Sequence, residues 1–116
     1  MIGDVTSTAL HSALNGLAQR QRVTADNIAN LQTPGFLAGR VDFESSLSEA
    51  LSTGADPLGT TETALSRSTA ATGTNGNNVR LDDETLDGID TNMRYQLVTT
   101  AVSDKFRVLR TAIRGS

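Results

Sequence analysis

Leu10, Leu14, Leu17, Gln21, Thr24, Ile28 and Leu31 follow one another at intervals of four and three residues. That spacing lines one side of a helix and is the seam of a coiled coil, here with two polar members, Gln21 and Thr24. Ala9, Ala13, Ala18, Ala25 and Ala29 flank the seam and are small enough to let a partner helix come close. Asp4 or Ser7 is the expected N-cap. The helix has to stop near Asn30. Thr33 precedes a proline and is pushed toward extended backbone, and Pro34-Gly35 suits the two central positions of a type II turn. Residues 1–31 thus read as one helix about 40 Å long at 1.5 Å per residue. One side of it is apolar and needs cover.

The other end of the chain offers that cover. Residues 79–114 read as a second long helix, within a C-terminal segment 79–116. Asp82 is the expected N-cap, with Asp83, Glu84, Asp87 and Asp90 close behind it, while Lys105, Arg107, Arg110 and Arg114 sit near the far end. This distribution complements the helix macrodipole at both ends. Leu86, Ile89, Met93, Leu97 and Ala101 form one apolar line. Val98, Val102, Phe106, Leu109 and Ile113 form another, and together they make a stripe wide enough for more than one neighbour. Gly88 costs this helix about 1 kcal/mol relative to Ala unless another backbone packs against it.

Between the helices, residues 32–51 read as the turn, an extended stretch from Phe36 to Phe43 (a loose segment or a hairpin arm), and a short helix marked by Phe43, Leu47 and Leu51. Residues 52–78 differ in kind. Of these 27 positions 17 are Ser, Thr, Gly or Asn and none is aromatic. They bury too little apolar area to offset their ordering entropy, and so read as a flexible or partner-ordered loop. Leu58 and Leu65 are too sparse to mark a helix.

The expected fold is a single mainly α domain: two long terminal helices packed as an antiparallel coiled-coil hairpin, with a loop-rich, partly flexible middle. Its core is thin, since the 116 residues include no Trp, one Tyr and three Phe. Thin cores are commonly completed by oligomerisation. Part of the second helix's stripe stays exposed in such a hairpin, and exposed apolar patches mark association surfaces. Absence of cysteine rules out disulfides and thiolate metal sites. A net charge of −3 is wrong for a nucleic-acid binder. No apolar run approaches the ~20 residues of a membrane span. Met1-Ile2-Gly3-Asp4 lacks the basic and apolar regions of a cleavable secretory signal.

No catalytic constellation is visible, so no enzyme activity, cofactor or small-molecule substrate is expected. His11 is the only histidine and has no evident catalytic partners. Asp82, Asp83, Glu84 and Asp87 lack the ligand spacing and central Gly of a calcium loop, and fit a helix N-terminus better. Gly73-Thr74-Asn75-Gly76 lacks the Lys of a phosphate loop. The basic residues from Lys105 to Arg114 are too dispersed for a polybasic lipid anchor. Asn27 and Asn30 read either as recognition residues or as local caps of the helix end. Thr33-Pro34-Gly35-Phe36 reads either as a partner contact or as a helix stop covered by Phe36.

Ala25-Asp26-Asn27-Ile28-Ala29-Asn30, followed by Leu31-Gln32-Thr33-Pro34-Gly35-Phe36, resembles the N-terminal signature of the flagellar axial proteins of rod and hook. Val41-Asp42-Phe43, the run Gly76 to Glu84, Asn92-Met93-Arg94-Tyr95-Gln96, and Phe106, Leu109 and Thr111-Ala112-Ile113 are similar to the proximal rod members of that family. The resemblance covers residues 1–43 and 76–114. The chain is too short for the added domains of hook and distal rod proteins. The resemblance implies a structural subunit of the proximal rod, exported by the flagellar type III apparatus without a cleavable signal. Such a subunit packs helically with copies of itself and other rod proteins, near the base of the flagellum and its export gate. Assembly would then rest on Leu10, Leu14, Leu17, Ile28 and Leu31 in the first helix. In the second it would rest on Leu86, Met93, Leu97, Val102, Phe106, Leu109 and Ile113. The reading from another class is a soluble helical adaptor or export-chaperone-like module, which would be a stable dimer alone.

Overall fold

The computed structural model describes residues 2–57 and 65–115, with side chains described from Val5 onward. Its elements are α1 (Ile2–Ala29), β1 (Gly39–Val41), α2 (Phe43–Thr53), β2 (Leu65–Arg67) and α3 (Leu81–Arg114). The chain is mainly helical, and the two long terminal helices pack on each other. Contacts between them run in opposite chain order. Asn27 meets Glu84, Gln21 meets Asn92, and Leu10 lies beside Phe106. The molecule measures 64 × 28 × 14 Å. Its radius of gyration is 17.5 Å, against about 13 Å for a compact chain of this length.

Both helix starts differ from expectation. α1 begins at Ile2, so Asp4 and Ser7 lie inside it rather than capping it. α3 begins one residue before Asp82. The extended residue Arg80 occupies the cap position without a side-chain bond, and Asp82, Asp83 and Glu84 fall in the first turn. Chain entry there is set upstream, where the Asn77 side-chain oxygen Oδ1 accepts the Val79 N–H at 2.7 Å and Val79 is buried.

α2 has its own local signals. The Asp42 carboxylate accepts from the Ser45 N–H and hydroxyl at its start, and Gly54 closes it at φ +77°, where a side chain would be strained. Phe43 and Ala50 are its buried positions. The core is small, as the composition requires. Leu17, Val41 and Phe43 are buried together, with Ala13, Val23, Tyr95 and Val98 packed around them. The Phe43 ring lies against α1 at Gly16, where a Cβ would come within 2.3 Å of a ring carbon. The Arg20 guanidinium covers the ring at 4.9 Å, bonds the Val41 carbonyl, and pairs with Glu44, its Nη1 lying 2.9 Å from that carboxylate. One Arg thus ties α1 to β1 and α2.

The middle of the chain is where expectation and structure part most. β1 and β2 pair antiparallel, Gly39 opposite Arg67 and Val41 opposite Leu65. Residues 68–80 then return over the end of α1, with Asn77 and Asn78 buried. Low apolar content suggested a loose loop over 52–78. In its described part hydrogen bonds replace apolar burial: the Asn78 side chain accepts the Ala38 N–H at 2.7 Å and donates to the Ser68 and Ala70 carbonyls. Residues 58–64, and with them Leu58, lie outside the described residues.

Candidate assembly interface

Two features of the surface and its support bear on function: the outward face of α3, and the polar joint beneath the Asn27–Phe36 segment.

Against α1, α3 presents Glu84, Gly88, Thr91, Tyr95, Val98, Val102 and Lys105, themselves spaced by fours and threes. The bulkier line expected there points elsewhere. Leu86, Met93 and Leu97 are 65, 60 and 72% exposed, and Ile89 is exposed beside them. The reason is the polar seam of α1. Thr24 faces Gly88 and Gln21 bonds Asn92 at 2.7 Å, so small and polar partners let the helices approach, and large side chains are displaced outward. Nearer the ends of the pair Val102 is half-buried, while Phe106 and Leu109 border a groove with Ser7, Leu10 and His11 and remain exposed. Ile113 is exposed. On α1, Leu17 is buried, Leu10, Leu14 and Leu31 are half-buried, and Ile28 is exposed. A second groove, between α1, α2 and α3, is lined by Leu17, Leu47, Leu51, Leu97 and Val98.

The helix end is organised as a joint. Asn27 is fully buried. Its Oδ1 accepts from the Gly39 N–H at 2.8 Å, and its Nδ2 donates to the Gly39 carbonyl and to Glu84 Oε2, both at 3.0 Å. Glu84, fully buried as well, also pairs with Arg40 Nη1 at 2.7 Å. A Cβ on Gly39 would come within 2.7 Å of the Val23 side chain, so this strand position needs glycine. Asn27 is therefore neither a local cap nor a surface recognition residue. Asn30 does act locally: its Nδ2 donates to the Asp26 carbonyl at 2.8 Å, and its Oδ1 accepts from the Thr33 hydroxyl at 3.0 Å. Gly35 takes φ +73° while the Phe36 N–H reaches back to the Thr33 carbonyl, and Pro34 is exposed between them. The Phe36 ring lies under the Arg67 guanidinium at 5.5 Å. Gly35 is bound to the return segment through the Asn75 carbonyl.

Asn27 and the turn after it lie in a segment that matches known proteins. A family model described as flagella basal body rod protein matches residues 9–36. The flagellar basal body rod protein FlgB of Bacillus subtilis (strain 168) is 32% identical over 91% of this chain and 91% of its own length. FlgB of Escherichia coli (strain K12) is 33% identical over 89% of this chain and 88% of its own.

The chain belongs to the FlgB family of flagellar basal body rod proteins.

FlgB of Borrelia hermsii is 31% identical over 90% of this chain and 92% of its own length. The family fixes the role: this FlgB-family chain is a structural rod subunit. Among its described residues no group of His, Cys, Asp and Glu is placed to hold a metal ion, and no helix is long and apolar enough to cross a membrane.

Reasoning from sequence singled out Asn27 in this FlgB-family chain but missed its partners Arg40 and Glu84, and missed Asn77 and Asn78. Glu84 reads as one more acid at a helix start. Nothing in the sequence around Arg40 marks it as the counter-charge of a buried acid; the structure pairs the two.

Proposed function

We propose that this chain builds the proximal rod of the flagellar basal body and assembles through the outward stripe of α3. The observation that carries the reading is the exposure of Leu86, Ile89, Met93 and Leu97 on one face of a helix whose other face is already covered by α1. Covering one such leucine contributes about 1.5–3 kcal/mol. In this reading the terminal helices form an antiparallel coiled-coil hairpin, with Leu10, Leu14, Leu17 and Val102 inside it and Ile28, Leu31, Phe106, Leu109 and Ile113 completing the contacts at its two ends. The turn from Asn27 and Asn30 through Thr33, Pro34, Gly35 and Phe36 holds the hairpin in shape for packing. Partners are other rod proteins, further copies of the chain, and the base of the flagellum with its export gate. The route out of the cytoplasm is flagellar type III export without a cleavable signal. The role is non-enzymatic and involves no cofactor, nucleic acid or small-molecule substrate. Membership of the FlgB family does not favour the adaptor or export-chaperone reading.

Leu97→Asp tests this. The side chain is exposed, so the monomer should keep its helicity by circular dichroism, while cells carrying the variant should lose motility and complete rods. Normal swimming with L97D would remove α3's outward face from the interface.

A further inference from the structure

We infer that Glu84 and Asn27 are positioning residues, which act through Arg40 and Gly39 to set the angle at which the β1–β2 arm leaves the helix pair. One end of β1 is held by the core, where Val41 packs with Leu17 and Phe43 and its carbonyl takes the Arg20 bond; the other end, at Gly39 and Arg40, is held differently. Around the joint the covered facing positions of α1 and α3, Gln21, Thr24, Gly88 and Thr91, are small or polar, and the apolar Ile28 and Ile89 beside them are exposed rather than interlocked. β1 and β2 are three residues each, too short to be rigid on their own. What the arm has instead is directional bonding. The Asn27 amide holds both the N–H and the carbonyl of Gly39, and the Arg40 side chain is drawn onto a carboxylate that has no solvent. A buried ion pair is weak evidence for stability, and its best-attested use is to fix one arrangement among several. Glu84 is in α3, Asn27 in α1 and Arg40 in β1, so these bonds meet only at one relative placement of all three elements. A subunit joining a helical assembly has to present its arm at one angle in every copy. The importance of the joint thus rests on the rod reading above, but its existence does not.

The bond directions give a specific test. Asn27→Asp keeps the shape, removes the donor to the Gly39 carbonyl and sets a carboxylate against Glu84. Adding Glu84→Gln returns a donor to the joint. The amide introduced on α3 can donate its N–H to the carboxylate introduced on α1, while its carbonyl oxygen still accepts from Arg40. The chain has no cysteine, so Ser66→Cys in β2 and Thr99→Cys in α3, both exposed positions, can each carry a spin label. The purified chain should give one narrow distance peak between them. N27D should lose that peak to a broad distribution, and N27D/E84Q should recover it. A narrow peak in N27D would overturn the inference. So would a double variant as broad as, or as poorly folded by circular dichroism as, the single one. These readouts need no rod, so loss of swimming by L97D with an unchanged peak in N27D would sink the joint and leave the rod reading standing.

Discussion

The Asn77 side chain donates both of its amide hydrogens into the turn that follows α1, to the Asn30 carbonyl at 2.9 Å and the Thr33 carbonyl at 2.7 Å. The last carbonyls of α1 are met locally, by the N–H groups of Asn30 and Leu31, whereas the turn beyond them takes its donor from 47 residues away. The residue that holds the turn after the first helix therefore also fixes the approach to the last one, since its Oδ1 holds Val79.

Removing that donor should loosen both. Asn77→Ala is expected to destabilise the chain by about 1–3 kcal/mol, the cost of leaving the buried Val79 N–H without its acceptor and the turn without its donor. Asn77→Asp should cost more than Ala, because it puts negative oxygens against two carbonyls while keeping the bond to Val79. Urea unfolding followed by circular dichroism gives the order. Asp equal to or milder than Ala would contradict this account of the helix end.

Gly16 lies inside a helix, where replacement by Ala normally gains about 1 kcal/mol. Here the added methyl would collide with the Phe43 ring. Overpacking of that kind costs about 1–3 kcal/mol, so Gly16→Ala should be destabilising despite its better propensity. Phe43→Leu in the same chain should make the Ala less harmful than it is alone, a coupling between touching residues. A stabilised G16A would show that the ring is not seated there.

Thr91 is fully buried against α1, and its hydroxyl finds no partner among the described residues. Burying an unpaired hydroxyl costs about 1–3 kcal/mol. Thr91→Val, equal in shape, should therefore raise stability by about 1 kcal/mol, read as a higher melting temperature. A lower melting temperature for T91V would mean that the hydroxyl is bonded after all.

Much of this architecture was written in local signals. The fours and threes from Leu10 to Leu31 mark α1, Pro34-Gly35 marks the turn after it, and Phe43, Leu47 and Leu51 mark α2. Those signals are strong because each is decided by neighbours within a turn or two. The orientation of α3 was not legible in the same way. Leu86, Met93 and Leu97 are among its bulkiest apolar residues and were natural choices for the seam, but Gln21 and Thr24 on α1 select Gly88, Thr91 and Asn92 instead. Glu84 was hidden among acids that satisfy a helix start, and only its pairing with Arg40 distinguishes it. The segment from Leu65 to Asn78 carries no hydropathy signal, because what holds it is hydrogen bonding between side chains and backbone, set by partners more than 30 residues away in sequence.

The rod reading depends on what covers the outer face of α3. The most direct measurement is an image reconstruction of the basal body at side-chain resolution with this chain placed in it. The account predicts Leu86, Met93 and Leu97 packed against a neighbouring subunit. Finding all three open to solvent in the assembled rod would contradict it.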